Sequence, residues 1–484
     1  MSAPRATGPE PAFPPIPQPD RSDALAALGG FLERVPAGSR LLLAVSGGSD
    51  SLGLLLGLVH LLRQPRFGDK SISLATATID HGLRPEAAEE AAFVGRIAAS
   101  HGIAHFIRRW EGDKPQSGLS AAAREARYDL LADLAAECGA DAILTGHTAN
   151  DQAETIAMRA KRLKDSLDVD ATGLSGMAAS LLFDSRVWIY RPLLAVTRGA
   201  IRSLLEHRGQ NWVEDPSNSN PAYERARLRL AGADHLPLPL PEPGLGAGRS
   251  NVMQEAARLC TAFFDMPWPF LGNVAIAAFH DQPSALRALL SPLLACFGGQ
   301  AYGPGAAGLN AILTLAGKPP GQRLTVGGCL LHRHSGGIFI VRERRNLPQL
   351  SLLPGERGLW DGRFVVQNED RFAVTIGAGL FDGNGKAGFP SATIRQKEPE
   401  GFSTMPGLRA PSTSVLPEIS GEITPRLPRS LVKLAADTLP ACGKNQVFWP
   451  VLAPYRRFLP GFDLPLASAL ARKFGLAPFP AAPF

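Results

Sequence analysis

The chain lacks an uninterrupted apolar run of the roughly 20 residues needed to span a bilayer. Its first twenty residues are rich in proline and have no cationic segment followed by an apolar one, so a secretion signal is not expected. Only five cysteines occur, Cys138, Cys260, Cys296, Cys329 and Cys442. They include no CxxC pair and no Cys/His cluster at zinc spacing, which argues against a disulfide framework or a structural zinc site. They read as buried thiols in a reducing cytoplasm. There is no excess of acidic charge either: the formal net charge is +6, compatible with an RNA substrate without proving one. What is present is 45% hydrophobic and 19% charged residues over 484 positions, the composition of a globular protein long enough for two or three domains.

One stretch organises the rest. Ser46-Gly47-Gly48-Ser49-Asp50-Ser51 follows the apolar run Leu41–Val45, read as a buried strand, and precedes Leu52–Val59, read as a buried helix. A strand turning through glycines into a helix leaves converging backbone N–H groups without partners, a geometry that binds phosphate. A glycine turn with no ligand is the alternative. The loop has no lysine and no second glycine at the GxxxxGK[ST] spacing, so it is not the common nucleotide loop. Its hydroxyls and amides suit a pyrophosphate, and Asp50 suits a bridging Mg²⁺.

Further along, strands are expected at 71–79, 103–110 and 141–145, alternating with helices at about 85–101 and 120–138. Gly139 should end the last of these helices as a C-cap. Such alternation predicts an α/β, doubly wound parallel sheet, whose ligand sits at the carboxyl ends of the strands. Asp80-His81-Gly82-Leu83-Arg84 and the segment Gly146–Thr155 both fall at such ends. Asp151 and Glu154 read either as a helix-capping pair or as site carboxylates. Arg124 and Arg127 read either as a solvated helix face or as guanidinium groups aimed into the crevice. His147 reads equally as structural or as orienting substrate.

The SGGxDS string resembles the pyrophosphate loop of the N-type ATP pyrophosphatases, a superfamily with a Rossmann-like fold. Taken in order, SGGSDS, DHGLR, AAAREARY, GHTANDQAET, GLSGM at Gly173–Met177, RPLL at Arg191–Leu194, and Glu214-Asp215-Pro216-Ser217-Asn218 with Tyr223, Arg225, Arg227 and Arg229 behind it are similar to the tRNA(Ile)-lysidine synthetase family over about residues 38 to 230. Two departures stand out. Asn150 replaces the first of two aspartates usual in the family, and residues 159–172 replace a glycine-rich turn with a more basic segment whose alternative reading is continued helix.

The resemblance implies ATP and Mg²⁺ as cofactors, free L-lysine and an isoleucine tRNA with a CAU anticodon as substrates, and lysidine, AMP and pyrophosphate as products. It implies ATP binding by Ser46, Gly47, Gly48, Ser49, Asp50, Ser51, Asp80, His81 and Arg84, metal holding by Asp50 and Asp151, and catalytic parts for Asp50, Arg127, His147 and Asp151. Arg124, Lys161, Arg162, Lys164, Arg191, Arg225, Arg227 and Arg229 are candidate tRNA contacts. The domain boundaries expected are a disordered tail at 1–22, the catalytic domain at 23–232, a Pro/Gly linker at 233–250, a mostly helical specificity domain at 251–346, and a C-terminal region with β segments at 347–484 that is a candidate tRNA-binding domain. A soluble cytoplasmic enzyme is expected, and monomer or homodimer stays open. Two rivals are a tRNA-thiolating enzyme of the same superfamily, disfavoured because Cys138 is the sole cysteine of the first domain, and a catalytically silent tRNA-binding protein.

Overall fold

The computed structural model describes residues 21–82, 86–115, 117–164, 176–214, 227, 243–280, 283–378, 427–440 and 446–484. The first unit alternates helices α1 (Arg21–Arg34), α2 (Ser49–Leu62), α3 (Pro65–Gly68), α4 (Ala87–Ser100), α5 (Leu119–Glu137), α6 (Ala149–Lys164) and α7 (Arg198–Glu206) with strands β1 (Arg40–Ala44), β2 (Ser73–Asp80), β3 (Ala104–Arg109), β4 (Ala142–Thr145), β5 (Ser180–Phe183) and β6 (Val187–Tyr190). Strand β1 pairs in parallel with both β2 and β4, and β4 pairs in parallel with β6. The order β3-β2-β1-β4-β6-β5 therefore reverses direction between β1 and β4, which places the ligand crevice of a doubly wound sheet at their carboxyl ends.

The central strand is apolar on both faces because both are covered. Leu41 and Leu43 join a core with α1, α2 and α7, while Leu42 and Ala44 face Tyr128 and Leu131 of α5. Two glycines inside α2 set how closely its neighbours approach. A Cβ at Gly53 would lie 2.2 Å from the Ile201 side chain of α7, and one at Gly57 would lie 2.4 Å from Leu28 of α1. As the sequence implied, α5 ends at Gly139, whose φ of +64° suits a residue without a Cβ. Helix α6 runs on to Lys164, so the basic departure begins as continued helix; residues 165–175 and the side chains of Lys161, Arg162 and Lys164 lie outside the described residues.

The later part combines helices Pro243–Phe263, Pro283–Gly298 and Ala306–Ala316 with a five-stranded antiparallel sheet. The first of these helices begins inside the stretch expected as linker, since proline is well tolerated in a first helical turn. Beyond it, antiparallel strands at Arg357–Trp360, Phe364–Asn368 and Gln446–Pro450 form a smaller sheet. The charge cluster at 342–345 is not wholly solvated. Arg342 is buried and paired with Asp361 at 2.9 Å, and Asp361 also holds the fully buried Arg363 at 2.6 Å, so these ion pairs tie the two parts together. The chain then returns to the first sheet: Phe458–Pro460 pairs antiparallel with β5, with Leu459 opposite Leu182. No helix among the described residues is long and apolar enough to cross a membrane.

Candidate active site

Between β1 and α2 the backbone turns at Gly47, whose φ of +87° lies in the left-handed region. Gly48 then occupies the N-cap of α2 and offers no side-chain cap, so the first amides of the helix are left for an anion. Ser51 is turned inward. Its hydroxyl donates to the Gly48 carbonyl at 3.1 Å and lies 3.3 Å from the Ser46 hydroxyl, and Ser46 is open to the crevice. The loop after β4 abuts this turn so closely that a Cβ at Gly146 would stand 2.7 Å from the Asp50 carbonyl oxygen. Glycine at 146 is what lets the two loops share one crevice.

Asp50, in the first turn of α2, and Asp151, in the first turn of α6, converge on one guanidinium. Arg198 Nε donates to Asp50 Oδ2 at 3.0 Å, and its Nη2 lies 3.8 Å from Asp151 Oδ1. The other Asp151 oxygen accepts from the Thr148 N–H at 2.8 Å and from the Thr148 hydroxyl at 3.0 Å. Asp151 thus closes a capping interaction with one oxygen and faces the crevice with the other, so both of its sequence readings hold. Asn150 points elsewhere: its side-chain oxygen accepts the backbone N–H of Arg198 at 2.9 Å and fixes the start of α7. The departure at Asn150 therefore changes a contact to α7 rather than the carboxylate that faces Arg198.

Burial pushes the Asp50 carboxyl above its ordinary value although Arg198 opposes it. Burial acts the same way on Asp151, but His147, the Thr148 amide and hydroxyl, and Arg198 hold it below the usual carboxylate range. Arg198, itself largely buried, is kept cationic by Asp50, Asp151 and Glu154. Two carboxylates drawn to one cation are a donor set that suits Mg²⁺, which takes one or two carboxylates and completes its shell with water and phosphate oxygens. Among the described residues no group of three or more His, Cys, Asp or Glu side chains could hold a metal alone.

His147, two residues after β4, is half-buried, its Nδ1 2.9 Å from the Thr145 hydroxyl. Burial, Arg191, Arg127 and Arg124 push it down to about 3, despite Asp151. It is uncharged at neutral pH. His81 is lowered too, by burial and by Arg127. Arg127 is half-buried rather than on a fully solvated face, and lies within electrostatic reach of both imidazoles. Arg124 is exposed and spreads over the Tyr128 ring at 5.0 Å. Arg191 is only 5% exposed and donates to the Ala178 carbonyl at 2.6 Å.

Asp80 accepts the Gly82 N–H at 2.7 Å and shapes the turn after β2. The Gly176-Met177 end of GLSGM is held by Gln152, which accepts the Met177 N–H at 2.6 Å and donates to its carbonyl at 3.0 Å. Val213 donates its N–H to the Gly47 carbonyl at 2.9 Å, so the segment leading to Glu214 packs on the phosphate loop. Arg84, Arg225 and Arg229 lie outside the described residues, and Arg227 is exposed. Reading the sequence missed Arg198. The N-cap Thr197 marks a helix start there, but no local pattern says which way the next side chain turns.

A profile of the PP-loop domain matches residues 24–235. The chain is 38% identical to the tRNA(Ile)-lysidine synthase of Rhizobium meliloti (strain 1021), over 94% of this chain and 95% of that protein. It is 38% identical to the protein of that name from Mesorhizobium japonicum over 91% and 93%, and 43% identical to that of Brucella ovis over 67% and 73%. Together with the loop and carboxylates at the β1/β4 switch point, these relatives show that the chain belongs to the tRNA(Ile)-lysidine synthase family.

Proposed function

We propose that this chain is an ATP-consuming ligase that joins the side-chain amine of free L-lysine to carbon 2 of the wobble cytidine of an isoleucine tRNA with a CAU anticodon. The observation that carries the reading is the meeting of an uncapped helix N-terminus and two carboxylates sharing one cation at the switch point of the sheet.

The amides after Gly48 and the hydroxyls of Ser46 and Ser49 receive the β and γ phosphates of ATP, while Ser51, turned inward, braces the loop. Asp50 and Asp151 would hold Mg²⁺, which when bound neutralises the pyrophosphate charge. The cytidine carbon-2 oxygen attacks the α phosphate, and the bond to pyrophosphate breaks. Arg127 faces the negative charge that gathers there. The lysine amine then attacks carbon 2, AMP leaves with the former carbon-2 oxygen, and the amine gives up its proton. That amine must first be neutral although its ordinary pKa is near 10.4. Asp50, whose burial makes it the stronger proton acceptor of the two carboxylates, suits that removal. Uncharged His147 can exchange hydrogen bonds with substrate through Nε2 without adding charge. The thiolation rival has no support at this site, because Cys138 sits at the far end of α5 and burial raises its thiol. The test is AMP formation from ATP, expected to require tRNA and to turn over only with lysine. AMP released at the same rate without tRNA would refute the reading.

A further inference from the structure

Arg191 leaves the carboxyl end of β6 beside the loop that carries His147. Leu144 of β4 lies opposite Tyr190, so the residues that follow them, Thr145 and Arg191, emerge next to each other. The Arg191 guanidinium is fixed at two points. Its Nη1 donates to the Ala178 carbonyl at 2.6 Å, and a second hydrogen bond runs to the Tyr128 phenol, which comes from the middle of α5. After burial, Arg191 is the strongest influence on His147, ahead of Asp151. Its charge is therefore felt in the catalytic crevice.

Tyr128 is 2% exposed, and its ring packs against Phe183 and Phe458 with centroids 5.6 and 5.7 Å away. A phenylalanine would serve that packing equally well. A buried phenol hydroxyl needs a partner, and here the partner is a cation. Arg124 spreads over the same ring at 5.0 Å. Against burial, the charges of Arg124, Arg191 and Arg127 hold the phenol below its ordinary value.

Among the described residues neither Arg191 nor Arg127 is paired with a carboxylate, whereas Arg198 has two. The Nε of Arg191 is also buried without a hydrogen-bond partner among them. Buried charge is ordinarily paired, and a buried donor ordinarily satisfied, so an arrangement that leaves both undone calls for an anion from outside the chain. A carboxylate would hold the guanidinium in place but cancel its charge. A phenol hydroxyl holds it and leaves the charge intact.

We propose that Tyr128 is a positioning residue for the transfer of the α phosphate: its hydroxyl fixes Arg191 beside the His147 loop, where the uncancelled charge of Arg191 adds to that of Arg127 as the bond to pyrophosphate breaks. The inference rests on the reading under Proposed function for the identity of the reaction. The placement of Arg191 rests on its own contacts.

The test follows AMP formation by the full chain with ATP, Mg²⁺, lysine and a CAU-anticodon isoleucine tRNA transcript. Tyr128→Phe keeps the ring under Arg124 and removes only the hydroxyl. It should lower kcat about tenfold while KM for ATP and for lysine stays within about twofold. Arg191→Lys keeps the charge without the planar fork and should lower kcat at least as much. Because the hydroxyl acts through Arg191, the double variant should be no slower than Arg191→Lys alone. An unchanged kcat in Tyr128→Phe, with or without a lower melting temperature, would overturn the proposal and leave a core aromatic. Losses that multiply in the double variant would overturn it as well. If the unaltered chain makes lysidine and Tyr128→Phe keeps pace with it, only the positioning role fails. If the unaltered chain forms AMP but no lysidine, the proposed reaction fails, and a tenfold slower AMP formation in Tyr128→Phe still upholds the positioning role.

Discussion

The middle and the edge of one seven-stranded sheet were built in different ways. At the middle, β1 and β4 end in loops whose chemistry is contained in short strings, SGGSDS and GHTANDQAET, each a few residues from the strand that aims it. At the edge, β5 is covered by Phe458–Pro460, supplied from a distant part of the chain. Chemistry at a switch point needs particular side chains at fixed offsets from a strand end, and such offsets are visible locally. Closing an edge needs only an apolar segment of suitable length arriving there. The active centre should therefore fail through single side chains, and the edge through loss of packing.

The largest effect expected at the centre is that of Asp50→Ala. It should slow pyrophosphate release about a thousandfold while leaving tRNA affinity within several-fold. Pyrophosphate release at the unaltered rate would remove Asp50 from the loop's chemistry. Arg198→Ala sharpens the contrast, because it leaves two buried carboxylates facing each other. It should cost about 3–5 kcal/mol of stability, and added Mg²⁺ without ATP should raise the melting temperature more in the variant than in the unaltered chain. An equal Mg²⁺ response in both would mean that the carboxylates do not share the metal.

At the edge, Leu459 is fully buried against β5. Leu459→Ala should cost about 2–5 kcal/mol in denaturant unfolding yet leave the turnover of folded enzyme nearly unchanged at low temperature. A large loss of turnover at unchanged stability would contradict the division between middle and edge. The smallest effect concerns pH. His147 is held near 3 rather than at its ordinary 6.5, so it carries no charge change between pH 5 and 9. The unfolded chain takes this proton first as pH falls below 6.5, so the group lowers stability progressively from there towards pH 3. His147→Gln should flatten that acid loss, and the pH–rate profile should show no limb near 6.5 that the substitution removes.

Much of the centre was legible because its determinants are local. The alternation of apolar runs, the glycines after β1 and the C-cap Gly139 each announce themselves within a few residues. Asp151 could be singled out but not resolved, since a cap and a site carboxylate leave the same local pattern; only the structure shows one oxygen on Thr148 and the other towards Arg198. Arg198 was not legible, because its partners come from α2 and α6. The clash that reserves position 146 for glycine was hidden for the same reason. Phe458-Leu459-Pro460 is too short, and ends in a residue too rare in sheets, to be read as a strand.

The most direct test of the central claim is incorporation of radiolabelled lysine into a CAU-anticodon isoleucine tRNA transcript with ATP and Mg²⁺, with initiator methionine tRNA as the control. Label on the isoleucine transcript alone, accompanied by one AMP per lysine joined, is the predicted result. No label on either tRNA, with the isoleucine transcript still bound, would contradict the account and leave a binding protein that has kept the fold.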